Sequence, residues 1–368
     1  MITLKRRRIF GAFVATAALF LAMGCQPTTG GGGNTTSSYK DYLYMTDTVS
    51  GKVYTYDPST QTVSSSSIAS TGQAASGEIQ FYNGIGYVCV GSGTNAGVYY
   101  FDPSATNPSF TKISNTVNAE YITFYNSTTA YVSVATSYTS DAGGIYTFNP
   151  TKPSYGLTQV ASSNSSATKY MQGITVGPDS KIYVAEYKDK AIAQIDPTSN
   201  TVTATFTTSA SNPTGLTKGT YNGSSGVFVA NVGGSIDFIA SGSTSSSATP
   251  VIASSVYPGR IVQLSSGNLI ATGYDTSYAY HSYLVTLSGA TATVSELKTS
   301  SGSSFGSLDI AYNSSSGLVY IPVAVTSDYI NYTNYLYVLD ANGNQKSYSP
   351  VSSVMPKSAG ISNVSFYQ

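Results

Sequence analysis

Side chains able to do acid–base or ligand chemistry are scarce in this chain of 368 residues. His281 is the single histidine, so a multi-histidine metal centre is ruled out and a Ser-His-Asp arrangement has only one base to draw on. A lone histidine in a polar segment is ordinarily a solvated residue. Glutamate occurs four times, at Glu78, Glu120, Glu186 and Glu296. Glu78 and Glu120 stand at the openings of two short alternating segments, Ile79-Gln-Phe-Tyr-Asn83 and Ile122-Thr-Phe-Tyr-Asn126, and Arg260 stands at the opening of another. Brought together, two carboxylates and a guanidinium could bind a polar ligand or a calcium ion (Ca2+), or neutralise one another as a structural ion pair. No spacing matches an EF-hand loop, a phosphate-cradling loop or a zinc motif, so no cofactor is expected beyond calcium at that one place.

Tyrosine is the other resource, with 32 copies. Three polar stretches, 136–144, 273–282 and 326–334, concentrate it beside acidic and amide groups. From them the candidate ligand-binding set is Tyr138, Asp141, Tyr278, Tyr280, His281, Asp328, Tyr329 and Tyr332. Tyrosine offers a large contact area with a hydrogen-bonding tip at low entropy cost, which suits recognition. The same rings could instead pack between loops. Cys89 alternates with Val88 and Val90 and reads as a small buried filler, not a nucleophile.

The elements that must position these residues follow a repeat. Val53-Tyr-Thr-Tyr-Asp-Pro58, Val98-Tyr-Tyr-Phe-Asp-Pro103, Ile145-Tyr-Thr-Phe-Asn-Pro150 and Ile192-Ala-Gln-Ile-Asp-Pro197 recur at intervals of 45, 47 and 47 residues. A constant period of this size on alternating apolar segments is the signature of a β-propeller. The clearest repeat, 173–206, divides into four short strands separated by turn residues. Its second strand recurs as Tyr42-Leu-Tyr-Met45, Gly86-Tyr-Val-Cys-Val90, Ala130-Tyr-Val-Ser-Val134, Ile182-Tyr-Val-Ala185, Val227-Phe-Val-Ala230, Leu269-Ile-Ala-Thr272 and Leu318-Val-Tyr-Ile321. The expected fold is therefore all-β, a seven-bladed β-propeller of four-stranded blades over 39–368. The first repeat lacks an opening strand, while the chain ends in Val364-Ser-Phe-Tyr-Gln368, close to the openings of repeats two and three. The C-terminal segment 360–368 is thus expected to pair into the first blade and close the ring. On such a ring, Glu78, Glu120 and Arg260 would line the channel mouth, and the three Tyr-rich stretches would share the face around it.

The strand followed by Asp-Pro and a polar turn resembles bacterial propellers of the YVTN and NHL-like type, including relatives of streptogramin lyases. The resemblance covers about residues 39–368 and implies a fold more than a function. Lyases and lactonases on related propellers use His, Glu or Asp near the channel, so it implies a possible enzyme. Quinone-dependent propellers typically dock their blades with Trp, and this chain has none.

Residues 1–24 read as a signal peptide: Lys5-Arg-Arg-Arg8 precede an apolar stretch too short for a confident span. Its end, Leu21-Ala-Met-Gly-Cys25, resembles a bacterial lipoprotein signal, which implies acylation of Cys25 by palmitate-type chains. Residues 25–38 would then be a flexible Gly/Ser/Thr tether. Gln26 favours the outer membrane if the cell has two membranes. Without Lys5, Arg6, Arg7 and Arg8, 13 of the 17 basic residues remain against 17 acidic ones, and no basic run follows Cys25, so no nucleic-acid partner is expected. Charged residues are only 9% of the chain, which suits an envelope protein solvated by hydroxyls and amides. The expectation is a lipid-anchored envelope protein, periplasmic or surface-exposed and monomeric. It would bind a protein or glycan through its loop face without catalysis. The alternative is a propeller lyase or lactonase-like hydrolase with a divalent cation at the channel mouth.

Overall fold

The computed structural model describes residues 42–47, 49–64, 69–70, 78–105, 107–113, 116–135, 143–160, 170–253, 256–326, 331–347, 349–352 and 361–366. They form seven antiparallel sheets arranged as the blades of a propeller, with one short 3-10 turn, Pro153–Tyr155, as the only helix among them. Blades 2 to 7 run in chain order, each with four strands whose spatial order follows the sequence. Their innermost strands are Ile79–Tyr82, Ala119–Asn126, Met171–Val176, Pro213–Tyr221, Pro258–Gln263 and Ala311–Asn313.

Blade 1 is closed as expected. The C-terminal strand Ile361–Phe366 pairs antiparallel with Leu43–Asp47, with Phe366 opposite Leu43 and Val364 opposite Met45. It supplies the innermost strand that the first repeat lacks, so the ring has no free inner edge there. Phe366 packs edge-on against Tyr320 of blade 7, at 5.2 Å between ring centroids.

The second strands form the core because both of their faces are covered by neighbouring blades. Tyr44, Tyr87, Tyr131, Tyr183, Phe228 and Tyr320 occupy matching places and are fully buried. Tyrosine at these places does more than fill space. The Tyr87 hydroxyl donates to the Pro150 carbonyl at 3.2 Å, and the Tyr131 hydroxyl to Asn200 Oδ1 at 2.5 Å. Each reaches the third-strand corner of the following blade, so blades 2 and 3 and blades 3 and 4 dock through Tyr–corner hydrogen bonds.

The Asp-Pro phrase is a corner device. Asp57, Asp102 and Asp196 each accept the backbone N–H two residues on, at 2.8 Å, and Asn149 does so at 2.9 Å. These are Asx turns, which end a strand by offering the backbone a side-chain acceptor. Blade 7 keeps the turn without proline, as Asp340 accepts from Asn342 N–H.

Cys89 is fully buried in the second strand of blade 2, in agreement with the filler reading. Residues 1–41, including the signal segment, Cys25 and the whole of the expected tether, lie outside the described residues.

Candidate functional site

One level of the ring gathers charge at the axis. In each blade an apolar residue of the innermost strand faces a matching residue of the second strand, as Ile79 faces Val88, Ile122 faces Val132 and Ile261 faces Ala271. The residue just before it is Glu78 in blade 2, Tyr121 in blade 3, Arg260 in blade 6, Asp309 in blade 7 and Asn363 in the C-terminal strand of blade 1. Blades 4 and 5 have Gly173 and Gly215 at this level. A Cβ there would lie 2.0 Å from the Thr214 carbonyl oxygen and 2.6 Å from that of Gly259, because the neighbouring backbone presses against them.

The inner strands are also bulged at this level. Glu120 is the extra residue between Ala119 and Tyr121, which face Val134 and Ser133. Thr214 and Gly259 are the extra residues in blades 5 and 6. A bulge lifts a side chain out of the regular alternation and re-aims it, and bulges cluster at barrel rims and functional sites. In blade 3 it allows Glu120 and Tyr121 both to serve the axial cluster.

Arg260 reaches from blade 6 to blade 3, where its guanidinium lies 4.1 Å from the centroid of the Tyr121 ring. Its Nε is 3.3 Å from Asp309 Oδ1, close enough for an ion pair but too poorly aligned for a hydrogen bond. Asp309 Oδ2 accepts the Val364 N–H at 2.8 Å, which ties the cluster to the C-terminal strand. Glu78 Oε2 accepts the Ile122 N–H at 3.2 Å, and the Glu78 N–H donates to the Glu120 carbonyl at 2.7 Å. Tyr121 donates to Gln172 Oε1 at 3.2 Å. Six of the seven blades are joined through this layer.

Its electrostatics are unusual for so weakly charged a protein. Burial raises Glu78 to about 7 against the pull of Arg260, with Asp309 adding to the rise. Glu78 keeps some contact with channel solvent although protein atoms enclose it. Burial raises Glu120 to about 8, again opposed by Arg260. Asp309 is also raised by burial, with Arg260 opposing. Burial works against the charge on Arg260, but Tyr121, Asp309, Glu78 and Glu120 outweigh it and raise its pKa. One permanent cation thus faces three carboxyl groups, two of which titrate near neutrality.

A second cluster lies on blade 6. Half of the expected loop 273–282 is strand: Leu269–Tyr274 and Tyr280–Ser288 pair, with Gly273 opposite His281 and Tyr274 opposite Tyr280. Asp275 turns the hairpin by accepting the N–H groups of Ser277 and Ala279, at 2.7 and 3.0 Å. His281 is therefore held and not merely solvated. Its Nδ1 is 2.6 Å from Glu296 Oε1 and its Nε2 is 3.3 Å from Asp275 Oδ2. Glu296 also pairs with Lys298 and accepts from Ser304 Oγ at 2.7 Å. Burial would raise Glu296, but Lys298, His281 and Ser304 hold it down at about 2. Hydrogen bonding, first from Ser277, holds Asp275 at about 2. Gly306 lies against the His281 backbone, where a Cβ would sit 2.4 Å from its carbonyl oxygen.

Tyr274, Tyr278 and Tyr280 form an aromatic group at the hairpin tip. Tyr274 stacks on Tyr278 at 5.8 Å and meets Tyr280 edge-on at 6.0 Å. Tyr278 is 37% exposed and has φ +66°, an uncommon value for a bulky residue. Tyr332, expected on a loop, is buried on the strand Tyr332–Leu339 because that hairpin also extends further than its polar composition suggests. Tyr138, Asp141, Asp328 and Tyr329 lie outside the described residues.

Sequence reasoning thus brought Glu78, Glu120 and Arg260 to one place, and the structure assembles them. It missed Tyr121, Gln172, Asp309 and Asn363. The available signal was register: a polar or aromatic residue just before or just within each innermost strand.

The geometry invites comparison with known structures. No protein-family description matches the chain, and no curated protein matches it in sequence. Solved structures do match. A protein of unknown function from Desulfotomaculum acetoxidans superposes with a TM-score of 0.62 at 12% identity, covering 88% of this chain and 99% of its own. A Lactobacillus plantarum protein gives 0.62 at 11% identity, covering 89% and 100%. A streptogramin B lyase gives 0.57 at 14% identity, covering 84% and 91%. The likeness is one of fold. At these identities what the comparison shows is the shared propeller.

Proposed function

We propose that this protein is a lipid-anchored envelope propeller that binds a protein or glycan partner, without catalysis, through the face where its blade hairpins and inter-blade connections meet. The observation that carries the reading is the Tyr274–Tyr278–Tyr280 group. Three aromatic rings project at a hairpin tip, and the Asp275 turn and the His281–Glu296 contact brace it. Rigid aromatic side chains with polar tips are favoured as recognition anchors because little entropy is lost when they are covered. The anchor itself rests on Cys25 and its preceding signal-like residues, and on the polar run that follows. Among the described residues no helix is long and apolar enough to cross a membrane.

The experiment has two arms. Metabolic labelling with a radioactive fatty acid should mark the wild-type protein and not Cys25→Ser; equal labelling overturns the anchor. Immobilised protein should retain an envelope protein or glycan that the Tyr278→Ala/Tyr280→Ala double variant, with an unchanged melting temperature, does not retain. Equal retention overturns the loop-face reading.

A second reading, a lyase or lactonase-like hydrolase, draws on Glu78 and Glu120, whose ionisation near neutrality is suited to acid–base work. A structural neighbour is a streptogramin B lyase. A divalent cation does not fit the described cluster, because Arg260 lies among its carboxyl groups and no three His, Cys, Asp or Glu side chains are placed to ligate one. A hydrolase or lyase reading would gain from turnover that Glu120→Gln abolishes.

A further inference from the structure

Glu120 is the carboxylate of the axial cluster that accepts no hydrogen bond from any described residue. Glu78 accepts from the Ile122 N–H, and Asp309 from the Val364 N–H. Glu120 has only the more distant charge of Arg260, which is already engaged by Asp309 and the Tyr121 ring. Only 8% of the Glu120 surface still reaches solvent. A buried carboxylate without donors is costly, and such a group marks a place where a ligand completes the hydrogen bonding.

Its surroundings are aromatic. Glu120 acts electrostatically on both Tyr121 and Tyr170. Tyr170 packs against Tyr187, with centroids 5.7 Å apart, and also senses Tyr187 and Tyr274. Tyr274, in the aromatic group at the hairpin tip, is thus within electrostatic reach of Tyr170, as Glu120 is. The faces of tyrosine rings attract cations, and Arg260 over Tyr121 shows this site already using that attraction. Three carboxyl groups against one guanidinium favour a second cation over an anion. A carboxylate lacking donors is suited to an N–H donor, which a primary ammonium has and a quaternary one lacks.

We propose that the channel mouth binds a primary alkylammonium group, such as a lysine side chain, with Glu120 as counter-ion and Tyr170, Tyr187 and Tyr274 as the aromatic wall. The inference rests on the loop-face reading above and names the chemistry that face recognises. Binding requires Glu120 to ionise, so it releases a proton and strengthens as pH rises from 6 to 9. The titratable groups facing Glu120 are Arg260 from blade 6, Glu78 and Cys89 from blade 2, its neighbour Tyr121, and Tyr170. Arg260 stays charged throughout that range, and a lysine amine, with a pKa of about 10.4, stays protonated over most of it.

The test is calorimetric titration of the purified full chain with N-acetyl-lysine methylamide, with its norleucine counterpart and with choline. The lysine derivative should bind saturably, with proton release visible as a dependence on buffer ionisation enthalpy. Norleucine and choline should bind at least tenfold more weakly. Glu120→Gln should weaken lysine binding at least tenfold, whereas Glu78→Gln should weaken it less. The proposal is overturned if the lysine derivative does not bind, if norleucine or choline binds as well, or if Glu120→Gln costs no more than Glu78→Gln. Partner capture that depends on Tyr278 and Tyr280, without lysine binding, overturns this inference and leaves the loop-face reading standing. Lysine binding with capture indifferent to those tyrosines does the reverse.

Discussion

Replacing Glu120 by glutamine should make the fold more stable in alkaline solution and less sensitive to pH. In the unfolded chain this carboxyl ionises around 4.5, whereas burial keeps it protonated in the folded protein up to about 8. Between those values the folded state holds more protons than the unfolded one, so stability falls as pH rises. A full proton retained over that interval corresponds to about 1.4 kcal/mol per pH unit, hence about 5 kcal/mol at most. Water entering the channel mouth screens part of this, and we expect a loss of about 2–4 kcal/mol between pH 5 and pH 9 from this residue. Glutamine has the same shape and no charge, so the loss should vanish from the variant. Urea unfolding at pH 5, 6, 7, 8 and 9 measures both proteins. The wild-type midpoint should drop with pH, and the Glu120→Gln midpoint should cross above it near neutrality. Curves that stay parallel across the whole range would refute the reasoning.

Two further perturbations probe the frame around the site. Phe366→Ala removes a buried ring of the closing strand and should cost about 3–5 kcal/mol in urea unfolding; a cost below about 1 kcal/mol would show that the ring is not held shut by this strand. The Cys89 thiol is pushed well up by burial, with the negative charges of Glu78 and Glu120 adding to it. It should react with a disulfide reagent at pH 8 only as fast as the protein unfolds, and prompt reaction in the native state would contradict its burial.

Much of the frame was legible in the sequence for a physical reason. A blade is a local object: four strands joined by tight turns, each marked by alternation and by turn chemistry. The Asp-Pro phrases announced corners, and the hydrogen bonds from Ser59, Ser104 and Thr198 N–H groups to Asp57, Asp102 and Asp196 show why. The C-terminal Val364-Ser-Phe motif was readable as a missing inner strand because repeats two and three open on similar residues. The hairpin around His281 was less legible. Tyr, Ser and Asp suggested an open loop, yet ladder pairing of Tyr274 with Tyr280 extends the strands and leaves only a short turn at Asp275. The partner Glu296 comes from the next strand and carries no local mark.

The sequence alone determined the number of blades, their strand order, the closing segment and the scarcity of groups able to do chemistry. Those properties depend on periodicity, which is written along the chain. Only the tertiary structure decided which partners join Glu78, Glu120 and Arg260 and how they meet. Arg260 reaches the Tyr121 ring three blades away, and Asp309 links that guanidinium to the last strand. Closing the ring brings the inner strands together at the axis, and a single-residue bulge sets Glu120 among them without a hydrogen bond. Contacts across an axis have no fixed separation in sequence, so the charged centre of this propeller is complete only when the ring is closed.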